Sequence, residues 1–137
     1  MAAQVAILLI EDNDEDAELM QRALKKHNLT GNLVRLGDGA AALDWFFSDP
    51  SKPMPQVVLL DLKLPKVDGM AVLKELKARD VTKTVPVVML TSSKEERDLR
   101  EAYRLGANSY IVKPVEFDQF ISAVEQLGRY WVLLNQR

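Results

Sequence analysis

Five short apolar runs recur along the chain: Val5-Ala6-Ile7-Leu8-Leu9-Ile10, Leu33-Val34-Arg35-Leu36, Val57-Val58-Leu59-Leu60-Asp61, Val85-Pro86-Val87-Val88-Met89-Leu90 and Ser109-Tyr110-Ile111-Val112. They do not alternate strictly between apolar and polar positions. That suits strands buried on both faces, as in a parallel sheet covered by helices. The stretches between them read as helices, giving a repeating strand-then-helix order and an α/β class. In the third helical stretch, opened by Asp68-Gly69, Met70, Val72, Leu73 and Leu76 suit a core face, and Gly106 is placed to close the fourth. Closely spaced prolines in Ser48-Asp49-Pro50-Ser51-Lys52-Pro53-Met54-Pro55 predict a loop before the third strand. The final helix is expected from near Glu116 almost to Arg137.

Each strand-like run except the second ends in a polar signal. The first is followed by Glu11-Asp12, the third ends in Asp61, the fourth leads into Thr91-Ser92 and the fifth into Lys113-Pro114. In an open parallel sheet, ligands sit beyond the carboxyl ends of the strands. Acids, a hydroxyl and a cation are therefore expected to meet at one rim. A carboxylate there can act as a nucleophile toward a phosphoryl group. Such an attack brings negative charge toward negative charge, so it needs cations and donors around the phosphoryl oxygens.

The segments Leu9-Ile10-Glu11-Asp12-Asn13, Leu60-Asp61-Leu62-Lys63-Leu64-Pro65-Lys66-Val67-Asp68-Gly69, Leu90-Thr91-Ser92 and Val112-Lys113-Pro114 stand in the order and positions of a known pattern. With them the chain resembles the receiver domain of two-component response regulators over nearly its whole length. The resemblance implies a flavodoxin-like, doubly wound sheet of five parallel strands in the order 2-1-3-4-5. It also implies a phosphoryl acceptor at Asp61, assisted by Lys113 and the hydroxyl of Thr91. Magnesium is implied on Asp12 and Asp61, with Glu11 holding a coordinated water and the backbone carbonyl of Lys63 completing the protein ligands. Thr91 and Tyr110 would form the switch, and the Lys113–Pro114 bond is expected to be cis, aiming the ammonium inward. The implied donor is a sensor histidine kinase or a phosphotransfer protein.

Several residues have plainer readings. An aspartate at a strand end, taken alone, is most often a cap or turn residue, and Glu11 could be simply solvated. Asn13 and Asp14 are expected to cap the first helix, with Asp14, Glu15 and Asp16 serving only its positive end. Tyr110 reads equally well as a half-buried strand aromatic. Gly37-Asp38-Gly39 imitates a dinucleotide fingerprint, but that fingerprint belongs at the first strand-to-helix turn, which here carries acids. Gly37 and Gly39 are expected instead to permit tight chain geometry into the second helix. His27 is the only histidine. It is read as solvated, so the phosphoryl donor must be another molecule.

At 137 residues the chain has the length of one domain, expected to span 1–137 without an output domain. A net charge of -2 offers no broad cationic footprint for nucleic acid, and the absence of cysteine excludes thiol chemistry. The start has neither an export signal nor a membrane anchor, which points to a cytoplasmic protein. An apolar stripe through Phe117, Phe120, Ile121, Val124 and Leu127 continues into Tyr130-Trp131-Val132-Leu133-Leu134, apolar all round. Tyr130, Trp131, Leu133 and Leu134 are therefore read as a homodimer interface. The segment Val124-Glu125-Gln126-Leu127-Gly128-Arg129-Tyr130-Trp131 resembles small stand-alone regulators associated with phytochromes. Two other classes compete. A hydrolase with an aspartate nucleophile, similar to the haloacid dehalogenases, would need an acid two residues after Asp61, where Lys63 stands. A phosphorylation-independent interaction module would have lost a site residue, and none is lost.

Overall fold

The computed structural model describes residues 5–26, 32–49 and 51–126. Ten elements alternate along them: β1 (Ile7–Ile10), α1 (Asp14–Lys26), β2 (Leu33–Leu36), α2 (Gly39–Phe47), β3 (Val57–Asp61), α3 (Gly69–Ala78), β4 (Val87–Thr91), α4 (Glu96–Leu105), β5 (Ser109–Val112) and α5 (Phe117–Gln126). The strands form one parallel sheet in the order β2-β1-β3-β4-β5, as the sequence led us to expect.

The apolar runs are explained by two separate cores. Ile7 and Leu9, Val57 and Leu59, and Val88 and Leu90 point to one face, where Ala17, Met20 and Leu24 of α1 and Phe120 of α5 cover them. Leu8 and Ile10, Val58 and Leu60, and Val87 and Met89 point to the other, beneath Ala42 and Phe46 of α2 and Val72, Leu73 and Leu76 of α3. A strand that feeds both layers has no polar face to show, so β1, β3 and β4 are buried throughout. The edge strand β2 is only half-buried, and β5 alternates.

Two strands are shorter than their apolar runs. β1 starts at Ile7 rather than Val5, and β4 at Val87 rather than Val85. Pro86 has no amide hydrogen and contributes only its carbonyl, which accepts from the Val58 amide at 2.9 Å. Helix starts are set by side-chain caps. Asn13 Oδ1 accepts from the Asp16 amide, Asp38 Oδ1 from Ala41 and Asp68 Oδ1 from Ala71. Gly106 ends α4 with φ 110°, a left-handed value suited to glycine. The final helix is described only to Gln126, so Tyr130, Trp131, Leu133 and Leu134, like His27, lie outside the described residues. Among the described residues, no helix is long and apolar enough to cross a membrane.

The glycine pair expected to ease the chain into α2 divides. A Cβ on Gly39 would stand 1.7 Å from the Val67 carbonyl oxygen, whereas one on Gly37 would meet nothing within 4 Å. Gly69 resembles Gly39, since its Cβ would stand 2.0 Å from the carbonyl oxygen of Asp61. These contacts seat the starts of α2 and α3 against the β3–α3 loop. Because backbone cannot yield as a side-chain tip can, Gly39→Ala and Gly69→Ala should each cost more than about 3 kcal/mol, and Gly37→Ala should stay within about 0.5 kcal/mol. Urea midpoints for the three variants check this; equal losses would contradict it.

Candidate functional site

Register brings the polar strand ends together. Ile10 pairs with Leu60, so Glu11 and Asp61 leave adjacent strands at the same level, while Asp61 pairs with Leu90 and Thr91 with Val112. Lys113 follows at once, its amide donating to the Thr91 carbonyl at 2.7 Å. The Lys113–Pro114 peptide bond is cis, as expected from the resemblance.

The centre of the site is the Lys113 ammonium. It donates to Glu11 Oε1 at 2.5 Å, to Asp16 Oδ2 at 2.9 Å and to Asp61 Oδ2 at 3.1 Å. Glu11, Asp61 and Thr91 are buried, while Asp12 is exposed. The other oxygens are also engaged. Asp61 Oδ1 accepts from the Lys63 amide at 3.2 Å, and Glu11 Oε2 from the Asn13 amide at 3.2 Å. Beyond Asp61 the loop turns through Lys66 in a left-handed conformation, φ 67°, with the Val67 amide donating to the Pro65 carbonyl. This is a strained γ-turn beside the site.

Burial is the strongest influence on Glu11 and helps push its carboxyl up from 4.5 to about 7; the Lys113 hydrogen bond pulls it down and neighbouring Asp61 pushes it further up. Burial works to lower the Lys113 ammonium. Hydrogen bonds to Glu11 and Asp16, with the charge of Asp61, outweigh it and hold the group above its ordinary value. It therefore remains a cation at neutral pH.

Glu11, Asp12 and Asp61 each present a carboxylate oxygen, all within 4.8 Å of one another. This all-oxygen donor set, with one exposed member open to water, fits a hard divalent cation such as magnesium, which binds through one or two carboxylates and keeps several waters. The described contact of Lys63 is made by its amide, on Asp61. Thr91 Oγ1 accepts from the Ser93 amide at 3.2 Å, and Tyr110, half-buried, donates its hydroxyl to the Ser93 carbonyl at 3.1 Å.

Two contacts were not anticipated from the sequence. Asp16, read there as serving only the helix end, reaches Lys113. The signal was its place three residues after the Asn13 cap, where an acid often turns back to the cap amide; here Glu11 takes that amide, leaving the Asp16 carboxylate for the lysine. Arg35 is the second. Its Nε and Nη2 donate to the Glu11 carbonyl at 3.0 and 2.8 Å and its Nη1 to Asp14, clamping the turn that carries Glu11 and Asp12. Asp14 is thus also engaged beyond the helix end.

The family model described as the response regulator receiver domain matches residues 7–125. Among curated proteins, the chain is 42% identical to a probable methanogenesis regulatory protein, FilR2, of Methanothrix harundinacea, over 95% of this chain and 85% of that protein. It is 36% identical to response regulator Rcp1 of Synechocystis, over 92% and 88%. Among solved structures, the bacteriophytochrome response regulator AtBRR superposes with a TM-score of 0.82 at 49% identity, covering 98% of this chain and all (100%) of that one. The manganese-bound form of Rcp1 superposes at 0.76 with 36% identity, over 93% and 94%.

Because the folded chain raises Glu11 above its ordinary value, this group's contribution to metal-free stability is fully present below pH 4.5 and is lost as pH climbs through about 7. With a chelator present, the wild type is expected to lose stability relative to Glu11→Gln between about pH 5 and pH 8. Thermal melts across that range check the sign, and parallel profiles for the two proteins would contradict it.

Proposed function

The chain belongs to the response regulator receiver domain family, and from that we propose that it is a phospho-acceptor switch whose acceptor is Asp61. The observation that carries this reading is the convergence of Asp61, Glu11, Asp12 and Lys113 at the carboxyl rim of the sheet, with Thr91 ending the next strand. A carboxylate oxygen of Asp61 attacks the phosphorus of a partner's phosphohistidine. A phosphorus–oxygen bond forms, the phosphorus–nitrogen bond breaks, and the imidazole leaves with that bond's electron pair. Lys113 is held against Asp61 Oδ2, within reach of a phosphoryl oxygen, and the Thr91 hydroxyl serves another. Hydrolysis of the acyl phosphate reverses the switch, so the only chemistry the chain performs is on itself.

Glu11, Asp12 and Asp61, together with the backbone carbonyl of Lys63, would hold magnesium. When bound, that ion supplies positive charge against the phosphoryl oxygens. The reading is supported by the all-oxygen cluster and by the manganese-bound form of Rcp1.

The switch runs through Ser93. A Thr91 hydroxyl drawn toward a phosphoryl group loosens the Ser93 amide that it now accepts from, and Ser93 is tied in turn to Tyr110 and to Asp98 on α4. Such a pull shifts the population of Tyr110 and of the α4 surface rather than creating a new fold. The alternative of an aspartate-nucleophile hydrolase is weakened by Lys63, which stands exposed where a general acid is needed.

The donor is a sensor histidine kinase or a phosphotransfer protein. Two solved bacteriophytochrome response regulators, 49% and 45% identical to this chain, support a phytochrome as that kinase. The partner is a protein rather than nucleic acid or membrane, in the cytoplasm, and two copies pair through the apolar C-terminal segment that carries Tyr130, Trp131, Leu133 and Leu134.

With magnesium and acetyl phosphate the intact protein should gain one phosphoryl group by mass, and Asp61→Asn should gain none. Light scattering on the same samples reports whether copies pair. Labelling of Asp61→Asn at the wild-type rate would overturn the acceptor assignment.

A further inference from the structure

Lys113 carries three N–H donors, and all three are spent on carboxylates: Glu11, Asp16 and Asp61. A phosphoryl oxygen arriving on Asp61 gains an undivided N–H only by displacing one of them. The three are not equally displaceable. The Glu11 side chain is 3% exposed and finds no water if the lysine leaves, while Asp61, 10% exposed, is itself the carboxylate that carries the phosphoryl group, so the N–H it holds only passes to that group. Asp16 is 39% exposed and stands in the first turn of α1, where free amides and the helix dipole favour its charge whether or not the lysine is present. Its partly exposed carboxylate can turn outward to water when the lysine lets go. Asp16 also stands outside the Glu11, Asp12 and Asp61 cluster suited to a cation, so a bound cation does not relieve its hold on the lysine.

We propose that Asp16 is a positioning residue that competes with the phosphoryl oxygen for Lys113, and that its release sets how tightly the pocket holds a phosphoryl group. This rests on the reading of Asp61 as acceptor. A residue that merely braced the site would weaken the pocket when removed. A competitor strengthens it, so the sign of the effect separates the two.

The probe is beryllium trifluoride, which occupies the place of a phosphoryl group on a carboxylate, titrated with magnesium into the intact protein and followed by fluorine NMR. Loss of a partly exposed ion pair should make Asp16→Asn bind the probe about five-fold more tightly than wild type, and Asp16→Ala at least as tightly. Glu15→Gln removes the same charge from the neighbouring exposed position and should bind as wild type does. Unchanged or weaker binding in both Asp16 variants, or equal tightening in Glu15→Gln, would overturn the proposal. A wild type that takes up no probe, and behaves as Asp61→Asn does, would instead bring down the acceptor reading and this proposal with it.

Discussion

The whole rim depends on one ammonium. Glu11 and Asp61 are acids buried at the ends of adjacent strands, and such groups repel one another and lose water together. Lys113 makes the arrangement possible by donating to both and to Asp16. Compensation is incomplete, which is why the Glu11 carboxyl still rises to about 7. A pocket left short of positive charge in this way is suited to a divalent cation and then to a phosphoryl group. Storing that shortfall is a structural cost that the two apolar cores must carry.

Those cores also explain why the rim is so well placed. Because β1, β3 and β4 are buried on both faces, a register slip would drive Glu11 or Asp61 into one apolar layer or leave a core residue in water. The parallel pairing therefore fixes the relative height of the site residues without help from the loops. Contacts outside the ladder add direction. Arg35 of β2 fixes the carbonyl of Glu11, and the close seat of Gly69 on the Asp61 carbonyl holds the start of α3 against Asp61.

Much of this was legible in the sequence because strand ends are marked by chemistry that a core would not tolerate. Asp61, Thr91 and Lys113 each follow an apolar run, and parallel register alone brings them to one edge. Asp16 was not legible in the same way. Its contact with Lys113 spans 97 residues and depends on which way the first turn of α1 faces. Arg35 stood unremarked within its strand-like run, and the half-buried edge position of β2 is what lets it reach the Glu11 carbonyl and Asp14. Gly37 and Gly39 are indistinguishable in a local motif, since the difference lies in the distant approach of Val67. The early start assigned to β4 failed because Pro86 satisfies the apolar pattern but not the ladder.

If the ammonium and a divalent cation serve the same carboxylates, removing the first must strengthen the second. Calorimetric titration of magnesium into wild type and Lys113→Met, at a pH above the Glu11 range, measures this directly. The account predicts tighter magnesium binding by Lys113→Met. Unchanged or weaker binding would mean that Lys113 does not neutralise the carboxylates that hold the metal, and would contradict it.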